Sequence, residues 1–523
     1  MSKPGFFITL PDSQADLVNF MFWAVLSFAF YIWFKAQYPL NITADTLWMA
    51  DAAARMINGE KMSAAYFDPN PPLSMILYIP AVLAAKTGML SLHTALFFYT
   101  LLHLGAAAFA TRTLLRAIPG LDKNAVLTAT IAFLIVGTVT AGSSFTERDQ
   151  IIGFWLVPFV LTQLCLTRGW AAPAWARYMT LLVGTVMILI KPHYGLIPTV
   201  LILHRAYTQK RITVFKDADF IALACGVVAY AALLWFYFPD FLQVVLPDVI
   251  ALYPSDNTAF VLYRAAYNGL LVICALLFCL IIGRISWLPY FFMGLALLAL
   301  VPFIVQMRGY HYQLLPAITL FWCGLGLCGK EWLTRYMSPL LAVMLVSFSL
   351  MGVAFFSTPS RFTNVAAAQY PQLPLSRALE NCPAPCRFMV VNNHIEITHQ
   401  TALYTGKEWA SRFPSPWFVP ALYELQNTDQ AKFLTLRAKY ARMMAEDLEH
   451  YKPQIIMFAE FPLTPQQPFD LLGLFADEPP FQQALSAYQP QEDVVIDQAA
   501  YFPRSGVFRD KQIRYRVFTR KNP

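Results

Sequence analysis

Apolar blocks separated by short polar segments dominate the first 357 residues of the chain. Most blocks are roughly 17–23 residues long, the length at which an α-helix crosses the hydrocarbon core of a bilayer. The pattern predicts an α-helical polytopic membrane protein of about eleven spans, at residues 17–35, 91–111, 124–141, 150–167, 178–190, 195–206, 218–238, 260–282, 286–305, 312–328 and 338–356. Between the short blocks 178–190 and 195–206 stands Lys191-Pro192-His193-Tyr194, which favours a hairpin or a broken helix.

One apolar block, residues 72–87, contains Pro80 and fits either a span or a juxtamembrane surface helix. We expect residues 17–35 to act as a retained signal anchor with a cytoplasmic N-terminus. If 72–87 does not span, thirteen Lys and Arg residues, including Lys3, lie in the inner loops. If it spans, twelve of them move outside, which violates the positive-inside rule. The charge bias therefore predicts a juxtamembrane helix at 72–87, with the first outer loop at 36–70.

The composition changes near residue 358, where the chain becomes polar, charged and rich in proline. The apolar runs after Arg387 and Gln454 resemble buried strands, and the segment that starts at Arg514 alternates as a strand does. Residues 429–451 have helical spacing. We therefore predict a transmembrane domain at 1–357 and a soluble α/β domain at 358–523, which the span count places on the periplasmic side.

The composition agrees with a bilayer as solvent. Of the 523 residues 57% are hydrophobic and 13% charged, against about 25% charged in a soluble domain. The net charge is +7, and in a membrane protein an excess of Lys and Arg is informative first about which loops lie in the cytoplasm. The chain contains no Lys/Arg tract typical of nucleic-acid binding.

The eight cysteines fall into two groups. Six lie in apolar blocks and are interpreted as small core residues: Cys165, Cys225, Cys274, Cys279, Cys323 and Cys328. Cys382 and Cys386 lie in the polar tail without two further zinc ligands nearby. A local disulfide between them is the favoured interpretation, and it would place the tail in an oxidising compartment.

Acidic residues mark the first outer loop. Asp45 stands where a helix would begin and Gly59 where it would end. Asp45 is therefore either a helix cap or a general base at the membrane surface that takes a proton from a hydroxyl nucleophile. Asp51 precedes Arg55 by four residues, which predicts a surface ion pair as the structural alternative to substrate binding.

Three prolines surround Asp68 and Asn70 in the segment Asp68-Pro69-Asn70-Pro71-Pro72. They predict a rigid turn, which either returns the chain to the membrane or directs Asp68 and Asn70 toward a substrate.

A charged triplet, Glu147-Arg148-Asp149, stands between two apolar blocks. Helix capping and a local ion pair explain part of it. The functional alternative is that the acids orient a metal or a sugar hydroxyl while Arg148 contacts a phosphate.

Two further clusters follow where spans emerge, Lys191 with His193, and Arg308 with Tyr310 and His311. Snorkelling explains Lys191 alone. Cationic and titratable groups at one membrane face suit a phosphate-bearing lipid headgroup. The outer loop at 239–259, with Asp240, Asp248 and Asp256, is a positional candidate for a gate.

The arrangement of these motifs resembles the GT-C superfamily of membrane glycosyltransferases, over roughly residues 17–330. The similar features are Asp45 opening a surface helix in the first outer loop, the return at Asn70-Pro71-Pro72-Leu73, and the charged loop at 147–149. The Lys191-Pro192-His193 and Arg308-Gly309-Tyr310-His311 motifs look like those of bacterial polyprenyl-phosphate-sugar transferases.

The resemblance implies an inverting displacement on the periplasmic face of the bacterial cytoplasmic membrane. Asp45 would deprotonate the acceptor hydroxyl, and Lys191, Arg308 and their neighbours would stabilise the departing polyprenyl phosphate. The implied partners are a polyprenyl-phosphate-sugar donor, membrane lipids and an acceptor such as lipid A, another glycan or a protein. Many relatives carry two adjacent acids where this chain has Asp45-Thr46, so no metal ligand is assigned and a divalent cation stays open.

Three other functions remain as alternatives. A lipid-sugar flippase or secondary transporter predicts inverted repeats and polar residues at mid-span depth, and the sequence shows neither. A ligase or polymerase of lipid-linked glycans shares most of the chemistry. A non-catalytic assembly protein leaves the clustering of polar motifs on one membrane face unexplained.

Overall fold

The computed structural model describes residues 12–210, 212–253, 258–282, 286–357, 365–392, 395, 398–464, 467–501 and 512–521. Lys3 and the rest of the predicted cytoplasmic N-terminus before residue 12 lie outside these ranges, as does Asp256 of the predicted gate.

Helices make up most of the described chain. The first eleven α-helices are α1 (Asp12–Gln37), α2 (Ala44–Ile57), α3 (Met62–Ala65), α4 (Leu73–Ile76), α5 (Ile79–Lys86), α6 (Leu92–Arg116), α7 (Lys123–Ile135), α8 (Arg148–Arg168), α9 (Ala174–Ile190), α10 (Leu196–Gln209) and α11 (Ala218–Tyr237). The others are α12 (Leu246–Leu252), α13 (Thr258–Ile282), α14 (Trp287–Gln306), α15 (Leu315–Leu333), α16 (Pro339–Ser357), α17 (Pro374–Ala378), α18 (Thr398–Thr405), α19 (Val419–Thr428), α20 (Gln430–Tyr451), α21 (Leu471–Phe475) and α22 (Pro479–Leu485).

Each of the eleven predicted spans coincides with one of these helices. Within the described residues, eight segments are long and apolar enough to cross a membrane: 20–37, 92–116, 123–140, 148–168, 218–237, 261–281, 287–306 and 311–333. The other three predicted spans correspond to α9, α10 and α16, and α9 and α10 are short, with 17 and 14 residues. The prediction of an α-helical polytopic membrane protein with a C-terminal α/β domain is confirmed.

The predicted juxtamembrane segment 72–87 forms the short helices α4 and α5. With 8 residues, α5 is only about 12 Å long, well below the thickness of a bilayer core. This length supports the interpretation that the segment does not span.

The chain divides into two compact units that alternate along the sequence. Unit 1 contains residues 1–38, 93–233 and 255–359, and unit 2 contains residues 39–92, 234–254 and 360–523. The first outer loop and the segment 234–254 thus belong to the same unit as the C-terminal sheet. The linear division at residues 357 and 358 stays a prediction.

Unit 1 has an aromatic core between α1, α6, α7, α15 and α16. The rings of Trp33 and Phe145 meet edge to face with their centroids 5.3 Å apart, and the ring centroids of Phe97 and Phe145 are 4.9 Å apart. Aromatic pairs of this kind pack at centroid distances of about 4.5–7 Å. The core fixes Phe145 and with it the loop that leads to the charged triplet at 147–149.

Unit 2 contains a seven-stranded mixed sheet. Its strands are β1 (Arg387–Val391), β2 (Glu408–Trp409), β3 (Ile455–Thr464), β4 (Gln467–Asp470), β5 (Tyr488–Pro490), β6 (Val494–Asp497) and β7 (Gln512–Arg520). The order is β2-β1-β3-β7-β5, with β4 paired to β3 and β6 to β7. β1 is parallel to both β2 and β3, and the remaining pairs are antiparallel.

The sequence located the main elements of this sheet correctly. β1 begins at Arg387 and buries its next four residues, β3 begins one residue after Gln454, and β7 alternates buried and exposed residues along its first half. The helix predicted at 429–451 is α20, which Asp429 caps by accepting a hydrogen bond from the backbone N–H of Lys432.

Cys382 and Cys386 form a disulfide, as the sequence predicted. Cys279 and Cys328 are also paired, in α13 and α15. Both are buried, as their interpretation as core residues predicted. Their pairing was not predicted, because a pairing across 49 residues leaves no local pattern in the sequence. Cys165 and Cys323 are buried free thiols, as predicted for core residues, whereas Cys225 and Cys274 are exposed free thiols, so their interpretation as core residues is wrong.

Candidate functional site

Unit 1 brings three of the predicted polar motifs together at the ends of helices. Asp149 lies in the first turn of α8, Lys191 follows the last residue of α9, and Gln306 is the last residue of α14. Tyr194 and Gln313 lie in the 3-10 turns Pro192–Gly195 and His311–Leu314. We call these five residues the ionic cluster.

The centre of the ionic cluster is a buried ion pair. The ammonium of Lys191 donates to both carboxylate oxygens of Asp149, at 2.9 and 2.7 Å, and to Oε1 of Gln306 at 3.3 Å. The two side chains are 9% and 0% exposed. A lysine ammonium has three N–H donors, so this environment uses all of them. Snorkelling is therefore the wrong explanation for Lys191, because its charge is paired inside unit 1.

Neutral polar groups hold this pair in place. The single proton of the Tyr194 hydroxyl is shared between Asp149 Oδ1 and the carbonyl oxygen of Gln313, each 3.1 Å from the hydroxyl oxygen. The Gln313 side-chain amide donates to Gln306 Oε1 at 2.9 Å. A buried ion pair is stable only when such further hydrogen bonds satisfy its remaining lone pairs and protons. The cluster is therefore a connected network, and α8, α9 and α14 share it.

The backbone before α8 is strained. Thr146 has φ +91°, a rare conformation for a β-branched residue. Its N–H donates to Gln150 Oε1 at 3.0 Å, and Gln150 Nε2 donates to the carbonyl of Gly137 at 2.7 Å. Gly137 lies in a π-helical turn, Val136–Thr140, that extends α7. Strained residues and π-helical turns concentrate at functional sites, so Gln150 is a functional candidate that the sequence interpretation missed.

The rest of the charged triplet is also buried. Glu147 precedes α8 as its N-cap residue and is 1% exposed, and Arg148 is 3% exposed. Burial of three consecutive ionisable residues is costly unless they are paired or bind a ligand. The predicted contacts of Glu147 and Arg148 with a substrate stay predictions.

The other predicted site residues of unit 1 lie in the connection between α9 and α10 or in the connection between α14 and α15. His193 is half-buried beside Lys191, and within the described residues its Nε2 atom is buried without a hydrogen-bond partner. Burial lowers the pKa of His193 to about 4, and the charge of Lys191 acts in the same direction. His193 is therefore a neutral hydrogen-bonding group at physiological pH, and the prediction of a cationic role for it is not favoured.

Arg308, Tyr310 and His311 occupy the turn between α14 and α15. Arg264, which the sequence interpretation missed as a site residue, donates to the carbonyl of Gly309 at 2.7 Å. Tyr310 stacks on Tyr312 with centroids 5.3 Å apart, and Lys191 Nζ lies 5.4 Å from the centroid of Tyr312. This turn therefore adjoins the ionic cluster through an aromatic side chain.

In unit 2, Asp45 lies in the first turn of α2 and is half-buried. The cap is Thr43, whose hydroxyl accepts from the backbone N–H of Thr46. The interpretation of Asp45 as the helix cap is therefore wrong. Gly59 follows the helix with φ +82°, so the predicted helix end is confirmed. Asp45 adds a negative charge where the helix dipole stabilises it.

Asp51 and Arg55 form the predicted i,i+4 ion pair, at 2.9 Å. However, the Arg55 side chain is only 9% exposed, against 36% for Asp51, so this is not the surface pair that the spacing predicted. Arg55 also donates to four other groups of unit 2: the carbonyls of Ala65, Ser411 and Trp409 and the hydroxyl of Tyr451. Arg55 thus joins the first outer loop to the C-terminal sheet domain.

Asp68 organises the proline-rich turn. Its Oδ2 accepts from the indole N–H of Trp48 at 2.7 Å, and its Oδ1 accepts from the backbone and side-chain N–H groups of Asn70, both at 2.7 Å. Asp68 is 3% exposed. These contacts give Asp68 and Asn70 a positioning role. Their predicted contacts with a substrate stay predictions.

Two acids of the predicted gate also have partners in unit 2. Asp240 accepts from the backbone N–H of Ser63 at 2.7 Å. Asp248 accepts from Lys439 and from the hydroxyl of Tyr440, at 2.7 Å each. The gating role stays a prediction, and these contacts show that the segment 234–254 packs against both other parts of unit 2.

The described residues contain no group of three or more His, Cys, Asp or Glu side chains arranged to hold a metal ion. The question of a divalent cation stays open.

Comparison with known proteins gives structural similarities only. No protein-family model and no curated protein matches the sequence. The chain is similar to the crystal structure of ArnT from Cupriavidus metallidurans in the apo state, with 12% identity, a TM-score of 0.38, and coverage of 85% of this chain and 93% of that chain. It is also similar to ArnT from the same organism bound to undecaprenyl phosphate, with 12% identity, a TM-score of 0.36, and coverage of 75% and 85%.

Proposed function

We propose that this protein is a membrane glycosyltransferase that moves a sugar from a polyprenyl-phosphate carrier to an acceptor of the cell envelope. The acceptor is lipid A, another glycan or a protein, and the reaction takes place on the periplasmic face of the cytoplasmic membrane.

The observation that carries the proposal is the charge around the ionic cluster. Four basic side chains, Arg148, Lys191, Arg264 and Arg308, accompany two acidic ones, Glu147 and Asp149, on the segments that meet there. These six side chains give the segments an excess of two positive charges at the ends of apolar helices. A site where basic residues outnumber acidic ones suits an anionic ligand, and a lipid phosphate supplies an anion that two cations can bind.

In the proposed reaction, the Asp45 carboxylate takes the proton of the acceptor hydroxyl, and the hydroxyl oxygen attacks the anomeric carbon of the donor sugar. The bond between this carbon and the phosphate oxygen breaks with inversion, and the polyprenyl phosphate leaves with the bonding electron pair. Arg308 and Arg148 stabilise the new negative charge. Lys191, whose three N–H donors all meet protein groups, contributes through its charge and not through a direct hydrogen bond. Stabilisation of developing charge is usually the largest single part of such catalysis.

The position of Asp45 supports its proposed role as the base. Thr43, and not Asp45, caps the helix, so the capping of α2 does not account for an acid at this position. Asp45 is half-buried in the first turn of α2, and an acid at this position in the first outer loop is the base that we propose.

The first experiment compares envelope glycolipids and glycoproteins by mass spectrometry in cells that express the wild type, Asp45→Asn or Asp477→Asn. Asp477 is an exposed acid of unit 2 and serves as the matched control. We expect one glycan of Asp45→Asn cells to lack a single hexose or pentose, as in cells without the protein. A normal glycan profile in cells without the protein would refute the proposed function. A normal profile in Asp45→Asn cells alone would refute the role of Asp45.

A second experiment tests the phosphate site with purified protein and undecaprenyl phosphate. Arg308→Gln should weaken binding of this lipid by about tenfold, since one charge-assisted contact to phosphate contributes roughly 1.5 kcal/mol. Arg116→Gln removes an exposed arginine from the last turn of α6 and should bind as the wild type does. Equal binding by all three proteins would show that Arg308 does not meet the phosphate.

A further inference from the structure

Unit 1 contains a second site that the proposed glycosyl transfer does not use. A cavity of about 760 Å³ lies between the last turns of α8 and α10 and the first three turns of α14. Leucine, valine and phenylalanine side chains form much of its wall, and Arg168, His204, Trp287 and Tyr290 also line it. Its size falls within the range of small-molecule sites, about 300–1,000 Å³.

This cavity lies at the opposite end of the helices from the ionic cluster. Asp149 and Arg168 stand nineteen positions apart in α8, and Trp287 and Gln306 stand nineteen positions apart in α14. At 1.5 Å per residue, both separations are about 28 Å, close to the thickness of a bilayer core. The ionic cluster and the cavity therefore meet opposite faces of the membrane.

The polar part of the lining matches the headgroup region of a lipid. Trp and Tyr concentrate at this depth because their rings are apolar on one side and polar on the other. The Arg168 guanidinium lies 5.6 Å from the centroid of the Trp287 ring. Among the described residues that line the cavity, none is acidic. The exposed charge of Arg168 is therefore available to an anion.

The wall contains space for an apolar chain. Gly294 lies on α14 within the lining, and a Cβ atom built at this glycine would meet no other atom within 4 Å. The missing side chain leaves the cavity open between the leucines around it. One amphipathic ligand could place an apolar chain beside this glycine and a phosphate beside Arg168.

We propose that this cavity binds one anionic phospholipid of the adjacent leaflet, with its phosphate at Arg168 and an acyl chain along Gly294. The bound lipid would fill the space between α8, α10 and α14 and would hold these helices together at the end remote from the ionic cluster. The proposal does not depend on the glycosyltransferase function.

The test is native mass spectrometry of the full-length protein in detergent micelles, titrated with phosphatidylglycerol or with phosphatidylcholine of the same acyl chains. We expect one phosphatidylglycerol molecule to bind the wild type in preference to phosphatidylcholine. Arg168→Gln should weaken this binding about fivefold, the contribution of one basic residue to an anionic lipid. Gly294→Leu should abolish it, because the new side chain occupies the cavity.

Two matched variants separate this site from general effects. Gly105→Leu places the same side chain on α6, where a Cβ atom also meets nothing within 4 Å. Arg112→Gln removes an exposed arginine that does not line the cavity. Both should bind phosphatidylglycerol as the wild type does. The proposal is overturned if Gly294→Leu and Gly105→Leu retain the lipid equally, if the two lipids bind equally well, or if only detergent is retained.

Discussion

The ion pair between Asp149 and Lys191 permits a quantitative test, since its environment is fully defined. Asp149→Asn removes the charge that balances the Lys191 ammonium, while the side chain at position 191 remains only 9% exposed. Two hydrogen bonds from the ammonium and one from the Tyr194 hydroxyl end on this carboxylate. Removal of one partner from a buried pair costs about 3–5 kcal/mol, because the other charge stays buried.

The double variant Asp149→Asn/Lys191→Met separates pairing from packing. It removes both charges and keeps the approximate volume, so it should recover most of the stability that either single variant loses. The coupling free energy from this cycle should be at least about 2 kcal/mol. Glu408→Gln serves as the control, because the pair Arg387–Glu408 is 44% and 59% exposed and such pairs contribute about 0–1 kcal/mol.

The assay is equilibrium unfolding of the purified variants in mixed micelles, followed by tryptophan fluorescence. If Asp149→Asn unfolds at the same denaturant concentration as the wild type, the ammonium is not buried in the way described. If the single effects add without coupling, the two residues do not act as a pair. A stable double variant that no longer binds undecaprenyl phosphate would show, in addition, that the Lys191 charge also serves the ligand.

Three other changes should have defined effects. Arg55→Lys removes N–H donors that pair with buried carbonyls of unit 2, so it should destabilise this unit by about 2–4 kcal/mol. Limited proteolysis that cuts the wild type and Arg55→Lys at equal rates would contradict this prediction. Burial lowers the pKa of His399 to about 3, so the unfolded chain binds a proton near pH 6.5 while the folded chain does not. Stability should therefore fall by about 1.4 kcal/mol per unit as the pH drops from 6.5 toward 3. In thermal unfolding scans, His399→Gln should lose less stability per pH unit over this range than the wild type. An equal loss in both proteins would show that other groups cause the pH dependence. Gly184→Ala places a Cβ atom against the ring of Phe159 and should destabilise unit 1 by about 1–3 kcal/mol. Gly105→Ala places its Cβ atom in open space and should not destabilise the protein. Equal thermal stability of Gly184→Ala and Gly105→Ala would refute the argument that the Cβ atom at position 184 clashes with Phe159.

The sequence alone determined the parts of this protein that depend on local pattern. Apolar blocks, most of them of bilayer length, located all eleven predicted helices, an apolar run located β1, and alternation located β7. The position of Gly59 marked the end of α2. These features follow from the hydrophobic effect and from backbone conformation, which act within one turn or one strand and are therefore visible in a short window of sequence.

Tertiary structure decided which polar groups meet. The sequence grouped Lys191 with His193 and Asp149 with Arg148, whereas the folded chain pairs Lys191 with Asp149 across 42 residues. Arg55 similarly finds acceptors more than 350 residues away, and the first outer loop joins the C-terminal sheet in one unit. A charged side chain that leaves water takes the partner that the packing of helices brings to it. Contacts between distant segments determine that partner, so it cannot be predicted from the spacing of residues along the chain.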